Sequence, residues 1–142
     1  MQIAAIMNPV AGASRQRSEI RAMLAELRRR GARVKLYQTV SGGDAVRLAR
    51  EAARSADAVM AIGGDGTVGE VAGGLTGRNG PLLIWPTGTE NLVAKSLGFR
   101  ADRTQVRRCL ETQHTRLVDV GVANGRPFLV VAGAGFDAEV VR

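Results

Sequence analysis

Apolar and polar positions along this chain alternate between short apolar runs and helical stripes. Ile3-Ala4-Ala5-Ile6-Met7 predicts a first strand, stopped at Asn8-Pro9 because Pro9 lacks a backbone donor and pushes Asn8 out of helical space. Val10-Ala11-Gly12-Ala13 forms a loop, and Ser14 is placed to cap a helix whose buried stripe is Ile20, Met23, Leu24 and Leu27, with Gly31 ending it. Arg33 to Gln38 alternates, with Val34 and Leu36 apolar, which predicts a second strand closing in Thr39 and Ser41. Gly43-Asp44 opens a helix to about Ala53, with Val46, Leu48 and Ala49 apolar. Ala58-Val59-Met60-Ala61-Ile62 reads as a buried third strand, and Val68, Val71, Ala72 and Leu75 share one face of the next helix. Pro81 to Trp85 predicts a fourth strand and Pro86-Thr87-Gly88-Thr89-Glu90-Asn91 its loop, where Thr89 or Asn91 can cap a helix carrying Leu92, Val93, Ala94 and Leu97. A further helix, about Arg103 to Glu111, follows Asp102.

Strands and helices alternating at these distances imply βαβ units and a parallel sheet with right-handed crossovers. Ligands of such sheets bind at the carboxyl ends of the strands. Four successive strands end there in polar or glycine-rich turns: Asn8 to Gly12, Thr39 to Ser41, Gly63 to Thr67 and Thr87 to Asn91. After His114 the pattern changes: Arg116 to Val122 and Pro127 to Ala132 predict two strands joined by Asn124-Gly125, a hairpin signal. The expected fold is therefore α/β. An open, mainly parallel Rossmann-like sheet with helices on both faces spans 1–116, and 117–142 begins an antiparallel β-rich domain, cut short because two strands cannot stand alone.

Gly63-Gly64-Asp65-Gly66-Thr67 lies between the third strand and its helix. Free N–H groups and the positive end of the helix dipole there suit an anion, most often a phosphate, and glycine allows close approach. Asp65 would repel a phosphate, so its carboxylate acts through a divalent cation, a sugar hydroxyl or a neighbouring loop.

At 142 residues and 45% hydrophobic content, the chain has a single domain's length and is too apolar to stay disordered. Eighteen glycines with only 4% aromatics point to tight turns and close helix–sheet contacts. The formal net charge of +7, nearly all arginine, suits anionic partners or else reflects an arginine-rich proteome. Arg15, Arg17, Arg21, Arg28 and Arg29 read as a solvated helix face. A single cysteine, Cys109, excludes an internal disulfide and sits as a core thiol among Val106 and Leu110. Lys95 reads as a solvated helix residue, His114 as a loop residue without a metal-ligand partner, and Trp85 as core. No apolar run has membrane-spanning length and no leader precedes Ile3, so a cytoplasmic protein is expected.

Taken together, the turns resemble the nucleotide-binding half of the diacylglycerol kinase / sphingosine kinase family of lipid kinases. Asn8-Pro9-Val10-Ala11-Gly12 resembles the family's opening loop, and Thr39 falls where it has a nucleotide-contacting Thr. Gly63 to Thr67 followed by Glu70 resembles its GGDGT-x-x-E, and Pro86 to Asn91 its P-x-G-T-x-N. Asp119-Val120-Gly121 and Gly133 to Ala138 are similar to its entry into a β-rich second domain. Gly69 departs from the family's usual Asn, and Leu92 stands where bacterial members often carry Asp, removing a carboxylate from that turn.

The resemblance implies transfer of the ATP γ-phosphoryl group to a lipid hydroxyl, with Mg²⁺. Gly63, Gly64, Gly66 and Thr67 would cradle phosphates; Asn8, Pro9, Gly12 and Thr39 would shape the nucleotide pocket; Gly88, Thr89 and Asn91 would close it. Asp65, the one residue put forward for catalysis, acts through Mg²⁺ or organises the facing loop, while Glu70 is a loop-to-loop acceptor or a charge on the helix dipole. The main catalytic base and the metal ligands are expected beyond Arg142. The expected partners are ATP, a lipid substrate and, transiently at the periphery, an acidic membrane surface, but not nucleic acid. Gly64 to Gly69 also satisfies the G-x-G-x-x-G dinucleotide fingerprint, but after the third strand instead of the first. An NAD kinase would share the GGDGT turn without the GTEN loop, and a catalytically silent nucleotide-binding fragment is the remaining rival.

Overall fold

Four strands, β1 (Gln2–Met7), β2 (Arg33–Gln38), β3 (Ala58–Gly63) and β4 (Leu82–Pro86), pair in parallel in the order β2-β1-β3-β4. This is a computed structural model, and it describes residues 1–9, 14–78 and 80–130, with the side chains of 14 and 15 outside that description. The helices are α1 (Ser14–Arg29), α2 (Asp44–Ala52), α3 (Asp65–Leu75), α4 (Leu92–Leu97) and α5 (Arg103–Thr112).

The residue patterns follow from this order. β3 is central and covered on both faces, so all six of its residues are buried and its sequence is continuously apolar. β2 lies at the edge, and its alternating Val34 and Leu36 are only half-buried. Ile3, Ala5, Met60, Leu83 and Trp85 face α1 and α5, packing on Ile20, Met23, Leu24, Leu27 and Val106. Ala4, Ile6, Val59, Ala61 and Ile84 face α2, α3 and α4, packing on Leu48, Val68, Val71 and Val93. The result is the expected three-layer α/β fold. The order in which strands are added reverses between β1 and β3, the position where doubly wound sheets open a crevice.

Small residues set the layer spacing. A Cβ on Gly74 of α3 would stand 2.5 Å from the Val46 carbonyl oxygen and 2.7 Å from Ala49 Cβ, so α2 and α3 pack nearly backbone to backbone. α1 ends as predicted at Gly31, in the left-handed region at φ 88, with the Ala32 N–H donating to Leu27 O and the Gly31 N–H to Arg28 O.

Three local expectations are corrected. Ser14 is already helical instead of preceding its helix. Residues 116–120 form no strand, because regular extended structure needs a hydrogen-bonded neighbour and β5 (Gly121–Ala123) pairs only with β6 (Arg126–Phe128). The second predicted strand is correspondingly short, and 131–132 lie outside the described residues, as do Gly133 to Ala138. The hairpin turn itself is as expected, with Asn124 at φ 49 and Gly125 at φ 75.

Candidate functional site

The carboxyl ends of the four strands carry their turns along a single rim, in the order Thr39, Asn8, Gly64, Thr87, at about 4.8 Å per strand. Backbone bonds extend the sheet into the turns. The Thr39 N–H donates to Met7 O (3.0 Å), Asn8 N–H to Ile62 O (3.2 Å) and Thr87 N–H to Gly63 O (3.0 Å). The roots of all four predicted turns are thereby tied to the adjoining strand ends, the opening loop through Asn8; Asn8 and Pro9 of that loop are described and Gly12 lies outside the described residues.

Glycine is required where the third and fourth turns cross. A Cβ on Gly88 would stand 2.7 Å from Gly64 Cα, and one on Gly64 would stand 3.3 Å from Gly88 Cα. A Cβ on Gly63 would meet Thr67 Cβ and Oγ1 at 2.5 Å, so the Thr67 side chain folds back over the strand end. Gly66 is exposed and Gly69 half-buried, and each has open space where a Cβ would go.

Both carboxylates of α3 reach across to other helices. Asp65 Oδ2 accepts from the Leu92 N–H (3.0 Å) and Oδ1 from the Val93 N–H (2.9 Å), the first turn of α4. Glu70 Oε1 accepts from the Gly43 N–H (2.9 Å) and Oε2 from the Ala45 N–H (3.3 Å), the start of α2. Of the two roles open to Glu70, it takes that of loop-to-loop acceptor. The cap predicted from Thr89 or Asn91 is corrected: Asn91 occupies the N-cap position at φ 53 without a side-chain bond to the helix. Its Oδ1 accepts from the Gly88 N–H (2.9 Å) and its Nδ2 donates to Gly88 O (2.6 Å), which fixes the loop instead. Thr89 and Glu90 are exposed, Glu90 pairing with Lys95 at 3.6 Å on the surface.

α3 itself begins at Gly64 with no side-chain cap. Its first N–H groups have no intrahelical partner and face the rim. Among the described residues no group of three His, Cys, Asp or Glu side chains could hold a metal, and no helix is long and apolar enough to cross a membrane. Two cavities, of about 410 and 270 Å³, lie at the opposite, amino end of the strands, lined among others by Arg28, Arg33 and Lys35, and by Met1, Arg30 and Arg107. The joined turns and the glycine crossing, in contrast, bring backbone groups of the strand ends together at the carboxyl rim.

Thr87 is the residue that motif reading missed. It is buried at the root of the fourth turn. The period-two continuation of Leu83 and Trp85 could have flagged it.

A doubly wound sheet whose strand-end turns converge on an uncapped helix start defines the class of α/β domains built to take ligands at that edge. The profile of the diacylglycerol kinase catalytic domain matches residues 2–123, and the chain belongs to that family. It is 38% identical over 136 residues to the "Probable lipid kinase YegS-like" of Chromohalobacter salexigens, and 35% identical over 134 residues to the diacylglycerol kinase of Bacillus subtilis. Each alignment covers 92% of this chain but 44% of the relative, so the chain spans under half their length. A crystal structure of a diacylglycerol kinase from Bacillus anthracis superposes with a TM-score of 0.73 at 30% identity, covering 89% of this chain and 45% of that one.

Proposed function

We propose that this chain is the ATP-binding part of a kinase that transfers the γ-phosphoryl group of ATP to a lipid hydroxyl, diacylglycerol-like or sphingoid. The uncapped start of α3 carries this reading. On one face of the sheet, Glu70 and Asp65 reach across to cap α2 and α4, whereas α3, at the central turn, starts from Gly64, which has no side chain to cap it. Its free N–H groups and dipole, equivalent to roughly half a positive charge, suit a phosphate.

On this reading Gly63, Gly64, Gly66 and Thr67 hold the phosphate chain, and Asn8, Pro9 and Thr39 shape the nucleoside end with Gly12 of the opening loop. Gly88, Thr89 and Asn91 close the far side. Asp65 and Glu70 are positioning residues: they fix the turns that flank the phosphate site through α4 and α2. Charge neutralisation of the triphosphate would come from Mg²⁺ bound with it; both Asp65 oxygens already hold α4, so Asp65 fits the role of loop organiser better than that of metal ligand. In the transfer, the lipid oxygen bonds to the γ-phosphorus as the bond to the bridging oxygen breaks and ADP leaves. The group that takes the hydroxyl proton is sought in the sequence that relatives carry beyond the matched part. Exposed arginines 17, 21, 28 and 29 supply a basic face for transient contact with acidic lipid.

Labelled ATP incubated with the full-length gene product, NAD and a lipid panel in acidic vesicles tests this. The expected product is a phospholipid, with residues 1–142 on their own expected to bind ATP without transfer. Label appearing on NAD alone contradicts it.

A further inference from the structure

Among the described residues Thr87 is the one buried polar residue, 5% exposed, and its Oγ1 has no hydrogen-bond partner. More than nine in ten buried polar groups are paired, because an unpaired one keeps its desolvation penalty. The alternation of β4 assigns Thr87 the phase of Leu83 and Trp85, both buried against α1 and α5, so valine would fit the packing here. The hydroxyl therefore costs stability in the free chain. Its place on the rim suggests what offsets that cost: the Thr87 N–H is bonded to the end of β3, and the next residue, Gly88, crosses Gly64 at backbone contact.

We infer that the Thr87 hydroxyl is held unpaired until ligand binds and then hydrogen-bonds to a phosphate oxygen of the nucleotide, or to a water held by one. This rests on the nucleotide reading above and deepens it. Oγ1 is shielded in the free chain, so contact requires a small parting of the turns at the Gly64–Gly88 crossing. That crossing yields most easily because neither residue has a side chain to unpack. Thr87 is then a sensor of the phosphate chain, distinct from the backbone N–H groups at the start of α3.

The test compares wild type with Thr87→Val and Thr87→Ser in the full 142-residue chain, measuring the thermal midpoint without ligand and binding of ATP, tripolyphosphate and AMP. Thr87→Val should raise the ligand-free midpoint by about 2–5 °C, since it removes an unpaired hydroxyl. It should weaken ATP and tripolyphosphate by about tenfold, the worth of a hydrogen bond to a charged group, and leave AMP the least affected. Thr87→Ser should stay within about twofold of wild type, having kept the donor. A lower midpoint in Thr87→Val would show that the hydroxyl already has a protein partner, and unchanged tripolyphosphate affinity would show that no phosphate reaches it; either overturns the inference. Wild type that binds ATP while Thr87→Val binds it equally well removes this inference alone, whereas wild type that binds no ATP removes the nucleotide reading and this inference with it.

Discussion

A helix that begins at a residue whose side chain is engaged elsewhere leaves its first N–H groups to be satisfied from outside. α4 begins that way, since Asn91 turns back to Gly88, and Asp65 supplies the missing acceptor from 27 residues earlier. Asp65→Asn keeps one acceptor oxygen and replaces the other with a donor, so one cap bond is lost, worth about 1 kcal/mol. The melting midpoint should fall by about 2–4 °C. ATP affinity should fall by the same factor in Mg²⁺ and in EDTA, because the defect lies in loop position; a loss confined to Mg²⁺ would make Asp65 a metal ligand. Asp44 offers a pH test. The Arg47 guanidinium, 2.6 Å from its Oδ1, and then the Val40 N–H hold its carboxyl below the ordinary carboxylate value of 3.8. A lowered folded value means that its contribution is full above the ordinary carboxylate range and is lost as pH falls through the folded value. Asp44→Asn should therefore be less stable than wild type at neutral pH, with the gap closing in strong acid. A gap that is constant down to the acid limit would contradict this.

Among the elements, the strands were the most legible. Ile3 to Met7 and Ala58 to Ile62 read as continuous apolar runs because β1 and β3 are covered on both faces, and Arg33 to Gln38 alternated because β2 is an edge. Helix bounds were legible for similar reasons; that Asp102 caps α5 through the Thr104 N–H at 2.7 Å is an addition from the structure. The caps of α2 and α4 were legible only as one of two alternatives each, Glu70 as a loop-to-loop acceptor and Asp65 as organiser of the facing loop. Sequence reading looks for an acceptor at the helix's own N-cap, whereas here Glu70 and Asp65 reach across from α3, and only tertiary packing brings them there. The close approach at Gly74 makes that reach possible for Glu70. Glu70→Ala should speed hydrogen exchange at Gly43 and Ala45 well before the rest of α2 opens, and lower stability by about 1–2 kcal/mol. Exchange unchanged at those two amides would deny the cap.

At the scale of the whole molecule, the β5–β6 hairpin is keyed to the helix that starts at the rim. A Cβ on Gly73 would collide with the Pro127 ring, so Pro127 sits directly on α3 two turns from Asp65. Leu117 is fully exposed at 103% and Val122 at 66%, which explains why an apolar pattern there predicted more strand than is formed: its partners are not among the described residues. On the proposed function, Gly73→Val should displace the hairpin and cut lipid phosphorylation by the full-length gene product by roughly tenfold or more while ATP affinity holds, since misplacement by about 1 Å is enough to slow a positioned reaction. Equal losses in both would mean that the contact only stabilises the fold.

The central claim is that a nucleoside triphosphate binds along the carboxyl edge of this sheet. Titrating the isotopically labelled chain with ATP and Mg²⁺ and following backbone amide shifts tests it most directly. The largest changes should fall on Asn8, Thr39, Gly64 to Thr67 and Thr87 to Asn91. Changes centred instead on Gln2, Arg33 and Lys35, at the cavity on the opposite edge, would contradict it.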